Sequence, residues 1–302
     1  MQSLPTVKQL RYFIALEKYQ HFGKAAEASF VSQSAFSTAI KELEKLLDTQ
    51  LVDRTNKTVT ITRTGKKIAS QARHCIRNIE LLTESAALGQ GMLVGRLNLG
   101  IIPTIAPFIL PKIMPALRKH YTKLRLYLRE DTTLNSYAQL MSGELDLILI
   151  AFPYKLSNIE TMLLFKDHFR LACHENTQWI DDPKHYSFSQ LKPESILLLE
   201  DGHCLRDHAL SACKIRNQDT VSRFNASSLL TLVEMVNSDI GITYLTEMAE
   251  ESLLLQNTNI KTYPLDKSSY REIGLAWRKG SAHESEFREL GEFIIKIWSD
   301  SA

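Results

Sequence analysis

Cysteine is scarce in this 302-residue chain: there are four, Cys75, Cys173, Cys204 and Cys213, with no C-x-x-C pair and no metal-ligand spacing. That excludes a secreted disulfide scaffold and offers no metal site, so a cytoplasmic, reducing setting is expected. Long apolar runs are missing as well. None approaches the ~18 residues of a membrane span, and Met1 to Lys8 holds no apolar segment of signal-peptide type, so no membrane partner and no secretion are expected. Nothing calls for a cofactor. What remains is ordinary for a globular protein, 44% hydrophobic and 23% charged, at a length that accommodates two or three domains.

Charge is unevenly divided. Residues 1–88 carry 13 Lys/Arg against 8 Asp/Glu, net +5, and the remainder carries 23 against 26, net −3. A basic front part suits a phosphate-backbone binder.

The front part reads as short helices. Thr6-Val7-Lys8-Gln9 is a capping box, and Val7, Leu10, Phe13, Ile14 and Leu16 follow at helical spacing to about Tyr19. A second helix runs near Phe22–Ser29, and Ser32 is a natural N-cap for a third, 33–47, with Phe36, Ala39, Ile40, Leu43 and Leu47 on one stripe. The opposite face of its first turns shows Gln33, Ser34, Ser37, Thr38 and Lys41. Two short helices across a tight turn, the second with a polar leading face, fit a helix-turn-helix: Gln33 can pair with adenine, the hydroxyls with bases or phosphate, and Lys41 with phosphate. An amphipathic helix with a solvated face fits the same pattern. Next, Leu51 to Thr62 is a β-branched run after a polar turn, suited to a two-stranded wing on which Arg54, Lys57 and Arg63 would meet phosphates or a minor groove. Thr64 would cap a long helix to about Leu88, whose Ile68, Ala72, Cys75, Ile79, Leu82 and Ala86 form a heptad seam able to join two copies, with Cys75 packed in it. Gly89-Gln90-Gly91 is the expected hinge.

Beyond it, strand and helix patterns alternate: Leu97–Ile102, a helix near Pro107–Lys119, Leu124–Leu128, a helix ending at Ser142-Gly143, and Asp146–Ala151. That is the pattern of βαβ units and a mostly parallel sheet. Further strands are expected at Phe169–Cys173, Ile196–Leu199, Val221–Phe224, Ile240–Tyr244 and Ile273–Trp277, with a final helix at Glu284–Trp298.

Two cysteines lie where a strand gives way to a helix. Ile196 to Leu199 is a buried-strand run, Asp201-Gly202 a turn, and Cys204 falls in the first turn of a helix over His203–Lys214. There the helix dipole, His203 and Arg206 would favour a thiolate, and Asp207 would oppose it. If the segment is helical, a rise of about 1.5 Å per residue sets the Cα atoms of Cys204 and Cys213 roughly 13 Å apart. A disulfide needs about 4.4–6.8 Å, so pairing would require the helix to unwind. Inert packing of two buried thiols fits the same spacing.

Two stretches bear a family resemblance. Leu10 to Gly65, with Ala25-Ala26, Val31-Ser32-Gln33-Ser34, Leu43-Glu44 and Thr62-Arg63-Thr64-Gly65, resembles the winged helix-turn-helix of LysR-type transcription factors, and Glu200 to Asp207 followed by Cys213 resembles the sensor segment of the peroxide-responsive members. The resemblance implies an α/β chain of three parts: a DNA-binding domain over 1–62, a linker and dimerisation helix over 63–90, and a periplasmic-binding-protein-like effector domain over 91–302. The last would divide into subdomains of about 91–165 with 269–302, and about 166–268. It also implies that Cys204 is peroxidatic and Cys213 resolving, and that Thr104, Thr133, His203, Arg206 and Asp207 surround the peroxide. Implied partners are promoter DNA, a second or further copies of the chain, hydrogen peroxide, a dithiol reductant of glutaredoxin or thioredoxin type, and RNA polymerase. Relatives carry His-Phe-Arg after the second cysteine where this chain has Arg223-Phe224-Asn225, which keeps positive charge without the imidazole. A regulator answering to a small organic effector between the subdomains is the alternative within the family. A thiol peroxidase is the alternative outside it, and neither a winged helix nor a missing reductant-docking motif suits an enzyme.

Overall fold

A computed structural model of the chain describes residues 4–54, 59–88, 93–186, 191–213, 215 and 218–300. The chain divides into two compact units, residues 1–95 with 141–145, and residues 96–140 with 146–302. The expected hinge at Gly89-Gln90-Gly91 lies outside the described residues.

In the first unit α1 (Val7–Tyr19) starts at the capping box, Gln9 N donating to Thr6 Oγ1 at 3.2 Å and Thr6 N to Gln9 Oε1 at 3.0 Å. α2 (Phe22–Ala28) and α3 (Gln33–Leu46) follow, α3 capped by Ser32. Their apolar stripes share one core in which Phe13, Leu16, Phe36, Ile40 and Leu43 are fully buried. β1 (Val52–Arg54) and β2 (Val59–Ile61) pair antiparallel as the expected wing, rooted where Leu51 N and Val52 N donate to Glu44 Oε1 at 2.9 and 3.1 Å.

α4 (Arg63–Leu88) brings two corrections. Its cap is Thr62, whose Oγ1 accepts from Gly65 N at 2.8 Å, and Thr64 lies inside the first turn. The tight approach depends on Gly65, where a Cβ would stand 2.3 Å from Leu51 O. The second is Cys75, expected to be packed in the seam: Ala72 is buried and Ile68 packs against the core, but within one copy Cys75 is exposed, as are Ile79 and Leu82 at 43% and 72%. A heptad stripe is completed by a facing helix, which a second copy can supply.

In the second unit β3 (Gly95–Ile101), α5 (Ala106–His120), β4 (Leu124–Glu130), α6 (Thr133–Ser142) and β5 (Leu147–Phe152) alternate as expected, with β3 and β5 parallel. β5 is apolar at every position and buried throughout, as a strand covered on both faces must be. β6 (Ile159–His174) is far longer than the expected Phe169–Cys173, about 50 Å at 3.3 Å per residue. After it come β7 (Ile196–Leu199), α7 (Cys204–Ala212), β8 (Val221–Ala226), α8 (Leu229–Asn237), β9 (Thr243–Thr246), α9 (Glu247–Glu250), β10 (Ile260–Pro264), β11 (Tyr270–Arg278) and α10 (Glu284–Asp300).

The sheet runs β10-β6-β11-β5-β3-β4, with β9 also on β6, and it is not mostly parallel. β6 is antiparallel to β9, β10 and β11, and β11 is antiparallel to β5. Parallel pairing is described for β3 with β5 and for β7 with β8. The cause is β6 itself: its first half pairs with β11 and its second with β9 and β10, so one strand serves two sheet regions without βαβ crossovers. Among the described residues no helix is long and apolar enough to cross a membrane.

Candidate functional site

The site forms where β7 hands over to α7. β7 is buried along its length, Gly202 turns the chain at φ +101° with open space around it, and His203 is the extended N-cap residue. Cys204 thus opens α7 and Cys213 closes it as the C-cap residue, both thiols free and buried. Nine residue steps separate them along the helix, about 13 Å at 1.5 Å per residue, too far for a disulfide while α7 is wound.

Around Cys204 the second unit assembles groups from three other elements. Thr133 is the first residue of α6, almost fully buried, its hydroxyl close enough to lower the Cys204 pKa yet without a hydrogen-bond partner of ordinary geometry among the described residues. Thr104, just past β3, is also buried and accepts from Arg271 twice, Nη1 to Oγ1 at 3.0 Å and Nη2 to its carbonyl at 2.8 Å. Arg271, on β11, completes the set. Its guanidinium is fully buried, donates from Nε to Asp167 Oδ2 at 2.9 Å, and is the first of the groups that favour the Cys204 thiolate. Asp167 sits directly across from Arg271 in the β6/β11 register, and its Oδ1 accepts from Met248 N at 3.2 Å.

Electrostatics at the thiol differ from the sequence expectation. Burial raises the Cys204 pKa and outweighs Arg271, Thr133 and the helix N-terminus, with Asp207 adding to the rise. Arg206 does not face the sulfur: it donates to Leu199 O at 3.2 Å and Asn225 Oδ1 at 3.0 Å, and pairs with Asp201 at 3.1 Å. Asp207 is exposed, and His203 is half-buried on the wall of a cavity. Burial alone pushes Cys213 up to about 12, and Cys173, on β6, reaches about 11 for the same reason with Asp239 nearby. Cys173 is buried, as expected of a packing residue.

Sequence reasoning missed Arg271, Asp167 and His208. The signal for the first two was the strand alternation, which sets Arg271 in phase with buried Ile273 and Leu275, and Asp167 with buried Phe169 and Leu171. His208 lies one helical turn after Cys204, is buried, and bonds through Nε2 to Pro153 O at 2.9 Å.

The cavity beside His203 measures about 790 Å³, is largely apolar, and has Thr104, Phe108, Lys112, Met248 and Leu253 among its lining.

On the first unit, α3 presents Gln33, Ser34, Thr38 and Lys41 to solvent and Ser37 half-buried. Ser34 is engaged locally, its hydroxyl 3.1 Å from that of Ser32 and its carbonyl accepting from Thr38 Oγ1 at 3.0 Å. The side chain of Arg54 and the whole of Lys57 lie outside the described residues.

Two families match the chain: residues 7–66 fit the bacterial regulatory helix-turn-helix protein, lysR family, and residues 90–298 the LysR substrate binding domain. HTH-type transcriptional regulator EstR of Acinetobacter baylyi is 36% identical over 298 residues, 98% of each chain. DNA-binding transcriptional dual regulator OxyR of Escherichia coli K12 is 35% identical over 288 residues, 95% of this chain and 94% of that one. Among solved structures, a full-length OxyR variant from Pseudomonas aeruginosa superposes with a TM-score of 0.77 at 31% identity, covering 98% of this chain and 95% of that one.

Proposed function

Because the chain belongs to the LysR family of DNA-binding transcriptional regulators, we propose that its second unit senses hydrogen peroxide through a reversible Cys204–Cys213 disulfide whose formation refolds α7. The carrying observation is a buried thiol at a helix N-terminus within electrostatic reach of a fully buried guanidinium and close to the buried Thr133 hydroxyl. Peroxide is small and neutral, and such a site needs donors for the leaving oxygen more than volume. The Cys204 thiolate attacks one oxygen: an S–O bond forms, the O–O bond breaks, and the departing hydroxide takes a proton to leave as water. Condensation of the sulfenic acid with the Cys213 thiol then forms the S–S bond and releases a second water. Thr104, Thr133 and His203 hold the peroxide. Arg206 and Asp207 act at one remove, Arg206 by fixing the turn between β7 and α7, and a dithiol reductant of glutaredoxin or thioredoxin type resets the pair.

The first unit binds promoter DNA through Gln33, Ser34, Ser37, Thr38 and Lys41 on α3 and through Arg54 and Lys57 on the wing. Residues 1–62, 63–90 and 91–302 act as DNA-binding domain, linker helix and sensor, in a cytoplasmic homo-oligomer that engages RNA polymerase. Thiol-trapping mass spectrometry before and after stoichiometric peroxide tests the reading: a Cys204–Cys213 pair with Cys75 and Cys173 free is expected. Cys204→Ser should lose the response and keep DNA binding, and four reduced thiols after peroxide would refute it.

One observation favours a second reading, a small organic effector: the apolar cavity of about 790 Å³ that has Thr104 and His203 on its wall. It expects inert thiols and a metabolite-dependent rise in melting temperature.

A further inference from the structure

His208 is the one buried histidine on the sensor helix, and its bonding is lopsided. Its Nε2 lies 2.9 Å from Pro153 O, just past β5. A carbonyl can only accept, so Nε2 carries the proton and Nδ1 is left with a lone pair. That nitrogen is buried and has no partner among the described residues. A second proton placed there would be buried without an acceptor. The charged groups acting on it come from two elements: Arg271 on β11 opposes a positive charge, and Asp207 on α7 favours one but is exposed. Burial, first, and Arg271 depress the His208 pKa while α7 is wound.

Position makes this consequential. His208 follows Cys204 by four residues, one turn along the same helix face, and Nε2 ties that turn to a strand end outside α7. Unwinding α7 breaks the tie and exposes the ring to water, where an ordinary imidazole titrates near pH ~6.5.

Resting on the sensing reading above, we infer that His208 latches the wound sensor helix to Pro153 and that protonation of its imidazole releases the latch, so that acid favours the Cys204–Cys213 disulfide. The sign follows from linkage: the wound state holds its full advantage above pH ~6.5 and loses it as pH falls, because only the unwound state takes up the proton. Thiol chemistry alone gives no such trend. When the reduced chain exchanges with glutathione disulfide, two S–H bonds give one S–S bond in the protein, the oxidant's S–S bond becomes two glutathione thiols, and no net proton is released below the thiol pKa values.

The test equilibrates the full chain in glutathione and glutathione disulfide between pH 7.5 and 5.5, acid-quenches it, and counts Cys204–Cys213 disulfide by mass spectrometry. Uptake of one proton by an imidazole of pKa ~6.5 raises the exchange constant up to about tenfold across that range. His208→Gln keeps a donor for Pro153 O but cannot titrate, and its constant should stay flat. His208→Leu should be flat and shifted toward the disulfide at every pH. A flat wild-type profile, which needs no variant to fold, overturns the inference, as does a rise retained by His208→Gln. Failure of Cys204 and Cys213 to pair in any chain would instead strike down the sensing reading, and this inference with it.

Discussion

Arg271 is a full positive charge with no solvent access, and such a charge survives in a folded protein only when its hydrogen-bonding and its countercharge are both met inside. Asp167 supplies the countercharge from the facing position on β6, and Thr104 takes two further donors. Breaking such a pair costs more than the pair contributes, because the survivor is left uncompensated. Asp167→Ala should therefore lower the unfolding free energy by about 3–5 kcal/mol, and replacing both partners with methionine should recover much of that. Urea unfolding followed by tryptophan fluorescence isolates the effect, since Trp179, Trp277 and Trp298 all lie in the second unit. A change under 1 kcal/mol for the single variant would show that water reaches the guanidinium. Legibility at this scale followed contiguity. Cys204, Thr104 and Thr133 sit in short runs that carry their own signal, whereas Arg271 and Asp167 reach the thiol from separate strands and announce themselves only as charges out of phase with their strand's polar face.

A nine-residue helix such as α7 is marginal by itself, so its winding depends on ties to other elements. Arg206 reaches back to Leu199 O, His208 reaches Pro153 O, and Ser269 Oγ donates to Ala212 O at 3.1 Å at the far end. Cys213 is buried there, with the hydrogen-bonded Tyr186 and Tyr244 nearby, and burial pushes its pKa up to about 12. Alkylation of Cys213 at pH 8 therefore reports opening of α7 rather than thiol reactivity. Cys213 should label slowly, and Ser269→Ala, which removes a tie worth about 1 kcal/mol, should speed it about fivefold. Equal rates in both chains would mean that Ser269 holds nothing. The helix was legible because the Asp201-Gly202 turn marked where it begins. β6 was not, because Lys166, Asp167 and His168 interrupt its apolar run and the pairing register shifts opposite Ile273/Gly274.

At the scale of the molecule, charge and surface divide the labour. The uneven charge was readable from the sequence, with net +5 over residues 1–88, and so was the heptad seam of α4, but not that Cys75 within it would stand exposed in a single chain. Leu82 at 72% exposure gains little from folding alone, so a change there should leave a single copy's stability within about 0.5 kcal/mol. A carboxylate buried in a two-helix seam is costly, so Leu82→Glu should separate copies without unfolding them. DNA binding then reads the consequence. A paired protein neutralises twice the phosphates of one copy, and the logarithm of affinity falls with the logarithm of salt in proportion to that number. On duplex DNA of arbitrary sequence, Leu82→Glu should therefore show about half the wild-type salt slope, together with the mass of a single chain in sedimentation equilibrium. If the mass and the slope both stay at wild-type values, another surface joins the copies, and the exposed stripe of α4 faces some other partner.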